Sequence, residues 1–279
     1  MISETQPQGY VLVAVMTGLY AAALLVSAPG LIAKKRGLVR AGFGLMIAAF
    51  ALNTWAIAGR WLASGRPPFQ TLYETMVFYP WCVAVITFAL IGLHRLWLLI
   101  PFSAGVSAAG LGYALYRPDV EIIALPPALQ SGWFVPHVAT YFVAYAGLFA
   151  SFVLAAASLG EPYWRKRLGT AREKAAGLSL NRAAHQAAVF GIAALTLGLV
   201  MGAVWGKVAW GDYWSWDAKE NWALITWLAY MIYLHLGFMK EWRERRAMWA
   251  LVAAFAAVVF TYLGMSLLPT ASGSLHTYQ

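Results

Sequence analysis

Polarity changes along this chain on the scale of whole segments. Apolar runs of 18 residues or more, nearly free of charge, alternate with short polar links, which is the pattern of membrane-crossing helices. Eight such runs fall at about residues 10–33, 41–59, 72–93, 96–115, 138–160, 183–205, 221–239 and 247–268. The expectation is an all-α, polytopic membrane helix bundle of about eight transmembrane helices, forming a single integral membrane domain over 1–279.

Composition strengthens this reading. Of the 279 residues, 61% are hydrophobic and 11% charged, too apolar for a soluble domain of this length. The net charge of +9 does not point to nucleic acid, because the basic residues sit in short clusters between apolar runs. Cys82, the one cysteine, supports neither a disulfide nor a thiolate metal cluster. Residues 1–9 lack a basic leader region, so no cleavable signal peptide is expected.

Charge also sets the orientation. The links 34–40, 94–95, 161–182 and 240–246, with Arg182 and Lys240 at their edges, hold 15 of the 20 Lys and Arg. Arg60, Arg66, Arg117, Lys207 and Lys219 make up the remainder. The richer set belongs in the cytoplasm. Both termini then face outward, together with the segments 60–74, 116–138 and 206–220 and the tail 269–279.

The outer segments carry the unusual chemistry. Between Trp205 and Trp227 the chain reads WGKVAWGDYWSWDAKENWALITW, with six of the 14 tryptophans. Interfacial tryptophan is ordinary in membrane proteins. Trp205, Trp210, Trp214 and Trp216 within 12 residues exceed what anchoring requires and make a broad aromatic surface suited to a large planar apolar ligand. Trp222 and Trp227 follow in the next apolar run. Asp217 and Glu220 have capping-box spacing at its start, so helix capping alone would account for Asp217. Lys207 and Lys219 either solvate the loop or meet a ligand carboxylate. Gly198, Gly202 and Gly206, four apart, read as a packing stripe for a neighbouring helix.

Five histidines occur. His94 and His185 lie at inner boundaries without an evident partner and read as interfacial polar residues. His137 opens the fifth run and His276 lies in the tail, both on the side of the tryptophan segment. Imidazole is a standard axial ligand to haem iron. His235, 14 residues after Asn221, falls about 21 Å further along the helix, in the inner half of the bilayer. An ionisable group at that depth is costly and marks a functional position by default; an interhelical hydrogen bond is the plain alternative.

The run AVWGKVAWGDYWSWDAKENWALITWLAYMIYLH resembles the WWD signature of the haem-handling family of cytochrome c maturation. Its extension WALITWLAYMIYLH is similar to the CcsA (ResC) branch of system II. RPPFQTLYETMVFYPW and LPPALQSGWFVPHVATYFVAYA resemble two further segments of that family. The chain departs from the family pattern at Ala218, where proline is usual, at Gln70 and Thr71, and over residues 206–209. Alanine is a good helix former, so Ala218 is expected to cost no function.

The resemblance implies that His137 and His276 are the external axial ligands to haem, and that His235 is a membrane ligand. It implies that Trp205, Trp210, Trp214, Trp216, Asp217 and Trp222 shape the binding surface. It further implies haem b as bound ligand and substrate, with apocytochrome c and a CcsB (ResB)-type membrane subunit as partners. Haem would pass outward across the bacterial inner membrane and be attached at a Cys-x-x-Cys-His motif by a synthase that needs the partner. No side chain is an evident general acid or base. Two rival readings remain: a haem delivery subunit that makes no thioether bond, and an electron-transfer haem b subunit. The latter calls for facing histidine pairs, whereas His235 is a lone deep histidine.

Overall fold

The computed structural model describes residues 6–116, 121–160, 179–239 and 245–264, with side chains from residue 9 onward. The described residues are helical apart from short loops. Eight α-helices occur among them: α1 Gln6–Ile32, α2 Arg36–Ser64, α3 Leu72–His94, α4 Leu99–Ala114, α5 Phe134–Leu159, α6 Leu180–Trp210, α7 Ala218–Leu236 and α8 Arg245–Leu263. A single 3-10 turn, Pro127–Leu129, precedes α5.

Each helix coincides with one of the expected apolar runs. Six of them (α1, α2, α3, α5, α6 and α8) are long and apolar enough to cross a membrane. α4 is apolar but has only 16 residues. α7 opens on Lys219, Glu220 and Asn221, which lowers its apolar content. The protein is thus a polytopic helical membrane protein. The chain divides into two compact units, Met1–Leu125 and Pro126–Gln279.

In the first unit, α1 and α2 form an antiparallel hairpin through a turn in which Lys34 takes a left-handed conformation, φ 56°. The pair is close because Gly42 faces Ser27, where a Cβ would come within 2.6 Å of the serine Cβ. α4 packs on α1 and α3. Met16, Tyr20, Met46, Leu99, Ile100 and Leu111 fill the core. Aromatic rings join α2 to α3: Phe50 stacks on Trp81 at 5.7 Å and meets Phe88 edge-on at 5.4 Å. Thr87 and Ser103 share a buried hydrogen bond of 2.7 Å between α3 and α4, satisfying polar groups that have no water to turn to.

In the second unit, α5 and α6 run antiparallel along most of their lengths. Glycines permit the approach: Gly191 faces Leu148, Gly198 faces Tyr141 and Gly202 faces His137. α8 lies against α5 through Phe142–Tyr262 and the stacked pair Phe152–Phe255. α7 lies against α8, with Thr226 and Thr261 hydroxyls 2.7 Å apart. The Trp227 indole donates to Thr196 Oγ1 of α6 at 2.9 Å.

Candidate functional site

The tryptophan segment begins inside α6. That helix continues to Trp210 and ends on Gly211, whose φ of 93° supplies the left-handed cap. Residues 206–209, atypical for the family, are therefore helical. Gly206 lies under the returning loop, where a Cβ would come within 3.2 Å of the Asp212 carbonyl oxygen.

The loop closes on α7 through the capping box anticipated from sequence. The Asp217 side chain accepts from Lys219 N at 2.6 Å, and Glu220 Oε2 accepts from Asp217 N at 3.1 Å. Glu220 also receives the Ser215 amide at 2.8 Å and its hydroxyl at 3.2 Å, drawing the SWD tripeptide onto the helix start. The first helical residue is Ala218, and alanine is a good helix former. Between these anchors Trp216 adopts a left-handed backbone, φ 58°, unusual for a bulky residue and costly by roughly 1–2 kcal/mol. The Asn221 side-chain amide donates to the Trp216 carbonyl at 2.9 Å and helps to hold that conformation. The ring projects outward, 70% exposed.

His137 lies in the first turn of α5 at the same end of the unit. Its Nδ1 is 2.8 Å from the Gly198 carbonyl oxygen. A carbonyl only accepts, so Nδ1 carries the proton and, in the neutral ring, Nε2 carries the lone pair. The imidazole stacks on Trp205, centroids 5.5 Å apart and 29° between planes, and meets Tyr141 edge-on at 4.8 Å. Trp205 is 4% exposed and is fixed in turn by its indole donating to the Ala128 carbonyl at 2.8 Å, and by contacts with Phe134 and Trp210.

Three of the expected site residues, His137, Trp205 and Trp210, thus form one continuous cluster. Trp214 and Trp216 form a second contact, edge-on at 6.1 Å. The Trp214 indole Nε1 is buried and has no hydrogen-bond partner among the described residues. Trp222 instead packs on Phe260 at 4.1 Å, and its carbonyl accepts from Thr261 at 3.1 Å, so it serves the α7–α8 seam. Asp217 is the helix cap. Lys207 folds back on its own loop, donating to the Gly211 carbonyl and lying 5.6 Å over the Tyr213 ring. His276 lies outside the described residues.

His235 sits in the last turn of α7, closer to the helix end than the sequence run to 239 implied. It is exposed, and its Nδ1 donates to the Met231 carbonyl at 2.7 Å, which again leaves the lone pair on Nε2. Thr226, Tyr230 and Tyr233 are buried and form one stripe of α7, and His235 falls on the opposite face. His185 has the partner that the sequence did not disclose, the Tyr233 hydroxyl at 2.8 Å. Tyr233 and His235 are two positions apart, so His185 and His235 lie on different sides of α7.

The first unit holds a cluster whose side chains sequence reasoning left without a role. Glu74 is fully buried. Its carboxylate accepts from Arg60 Nε at 2.8 Å and Arg66 Nη1 at 3.2 Å, and from the amides of Gln70 and Thr71 at 2.7 and 3.3 Å. Thr71 caps α3 in a box closed by Glu74. The same groups hold the segment 121–124: Arg60 donates to the Glu121 carbonyl, Arg66 to that of Ile123 and Gln70 to that of Ala124. The signal available in sequence was two arginines, Arg60 and Arg66, followed by Glu74 across a short polar interruption between apolar runs. Replacing Glu74 by glutamine leaves two part-buried guanidinium groups short of their counter-charge, and should destabilise the protein by roughly 3–5 kcal/mol. Thermal unfolding of the full chain in detergent checks this, and an unchanged midpoint would contradict it.

A family model described as Cytochrome C assembly protein matches residues 69–271. The protein called Cytochrome c biogenesis protein CcsA from Synechococcus sp. (strain RCC307) is 34% identical over 265 residues, covering 84% of this chain and 83% of that one. Its namesake from Guillardia theta is 32% identical over 271 residues, covering 89% of each. The one from Chlamydomonas reinhardtii is 33% identical over 226 residues, covering 78% of this chain and 63% of that protein. A solved structure, Cytochrome c Heme Lyase CcmF, superposes with a TM-score of 0.67 at 19% identity. That alignment covers 94% of this chain and 47% of the other, so the chain spans about half the length of CcmF, and the likeness is one of fold. The chain belongs to the cytochrome c assembly family, in its CcsA-type branch.

Proposed function

We propose that this protein moves haem b outward across the bacterial inner membrane and attaches it to apocytochrome c, as the CcsA-type subunit of a system II synthase. The observation that carries the proposal is the setting of His137. One imidazole nitrogen is tied to a backbone carbonyl and the other bears its lone pair, beside the indole of Trp205 at the root of the tryptophan segment. A metal-ligating histidine usually donates the N–H of its other ring nitrogen to a carbonyl or carboxylate. The orphan Trp214 N–H adds a donor suited to a carboxylate of the same ligand.

In this reading His137 and His276 take the iron and the exposed rings around Trp216 cover the macrocycle. Bound haem supplies its own vinyl groups to the reaction. Each thiol of the Cys-x-x-Cys-His motif adds across one vinyl double bond, sulfur to one carbon and hydrogen to the other, so the step balances without an oxidant. The chain contributes orientation and exclusion of competing ligands. His235 ligates iron earlier in the route. Its face of α7 points away from the Thr226–Tyr233 stripe, so the opposite ligand comes from beyond α5–α8, which suits a CcsB-type partner. Eight spans with both termini outside would place the tryptophan loop on the periplasmic side.

The left-handed backbone of Trp216 gives a clean test of the ring's part. Trp216→Gly removes the ring but keeps the backbone conformation accessible, whereas Trp216→Ala removes the ring and retains the strain. Both are expected to lower outer-site haem, by up to several kcal/mol of lost apolar contact. Full haem content in both variants would count against the aromatic surface. Co-expression with a CcsB-type subunit and an apocytochrome, in cells lacking other maturation genes, tests the activity itself. Covalent haem on the cytochrome supports the synthase reading; a haem-loaded complex without covalent product supports the delivery reading.

A further inference from the structure

Gly198 and Gly202 do more than let α5 and α6 approach. The Gly198 carbonyl receives His137 Nδ1 at 2.8 Å. A Cβ at Gly202 would lie 2.6 Å from His137 Cε1 and 2.8 Å from Nδ1, inside the contact distance of any real methyl group. A Cβ at Gly198 would lie 2.5 Å from Tyr141 Cδ2, the ring that meets the imidazole edge-on. The imidazole therefore rests directly on the α6 backbone, with Trp205, one turn on, against its face. Gly191 offers an internal comparison. It lies on the same seam and is equally crowded, with a Cβ falling 2.7 Å from Leu148 Cδ2, but the atoms it would meet first belong to a leucine rather than to an imidazole.

We propose that the backbone at Gly198 and Gly202 is a cradle that fixes the tautomer and pose of His137, making Nε2 the ligating nitrogen and Gly202 a positioning residue. This rests on the reading of His137 as an iron ligand. The physical reason is double. The carbonyl holds the proton on Nδ1 and leaves Nε2 as the nitrogen that can donate its lone pair to a metal. The absent Cβ at Gly202 leaves room for the ring to reach that carbonyl while staying stacked on Trp205. A methyl group there must push the ring away, because the opposing atoms belong to the short, stiff imidazole itself.

The test uses the full chain co-purified with its partner subunit, in four forms: wild type, His137→Ala, Gly202→Ala and Gly191→Ala. The visible spectrum reports axial histidine ligation, with and without added imidazole. The cradle predicts that Gly202→Ala loses histidine ligation at the outer site by about 10- to 100-fold, as loss of the hydrogen bond that orients a ligating histidine does. It predicts a spectrum matching His137→Ala, recovery with imidazole, and a wild-type spectrum for Gly191→Ala. Wild-type ligation in Gly202→Ala, or equal loss in Gly202→Ala and Gly191→Ala, overturns the cradle. An unchanged spectrum in His137→Ala instead overturns the ligand assignment. A second measurement decides the cradle even then, and also if Gly202→Ala fails to fold. Nitrogen NMR of histidine-labelled, haem-free wild type, assigned against His137→Asn, should show Nδ1 protonated and Nε2 bare. A proton on Nε2 contradicts the proposal.

Discussion

His137→Ala is expected to abolish covalent cytochrome c maturation while leaving the protein folded and inserted. His137 is half-buried at the helix end, so truncation opens a cavity small enough to be survived, at a cost of a few kcal/mol or less. What is lost is the imidazole lone pair that this α5–α6 cluster would offer to iron; its ring neighbours among the described residues are Tyr141, Trp205 and, beyond Trp205, Phe134 and Trp210. Exogenous imidazole fits the vacated space against Trp205 and the Gly198 carbonyl, and should restore part of the activity. Haem-stained cytochrome in whole cells, with and without imidazole, gives the answer. Wild-type maturation in His137→Ala would remove His137 from the mechanism.

The second large effect is expected at the other end of the same unit. His235→Ala should starve the outer site without damaging it. Removing an exposed side chain from the last turn of α7 costs little stability, so a severe loss of maturation would be a loss of function proper. The His185–Tyr233 pair provides the control, since it lies at the same level on a different side of α7. His185→Ala should spare haem flow, whereas His235→Ala should stop most of it, and added imidazole should return some. Equal defects in the two variants, measured as haem per complex, would show that this end of the helix matters only for packing.

The apolar runs placed every described helix because the membrane imposes one strong pattern on sequence. Helix ends were less apparent. α6 continues to Trp210, five residues past the expected 205, because the apolar run stops where the interface begins and the helix does not. α7 could be extended to 239 on hydropathy, yet it stops at Leu236, which moves His235 from mid-helix to the last turn. At the site, the capping roles of Asp217 and Glu220 could be read from their spacing, since a capping box is local. Tertiary neighbours could not. Gly202 looked like ordinary helix packing, and only the pairing of α6 with α5 reveals that the group it admits is an imidazole. Trp222 resembled the other tryptophans in sequence but faces Phe260. Thr71 and Glu74 form a local capping box of the same kind as Asp217 and Glu220, but Gln70 acquires its role only when Glu74, Arg66 and the chain at Ala124 come together.

The proposed function orders the two histidines, His235 before His137, and haem content of the chain co-purified with a CcsB-type subunit tests that order most directly. Wild type, each single variant and the double variant would be compared for haem per complex and for axial ligation. The route predicts that His137→Ala keeps haem at the inner site, that His235→Ala retains little haem anywhere, and that the double variant resembles His235→Ala. Full haem in His235→Ala together with an empty His137→Ala complex would contradict it.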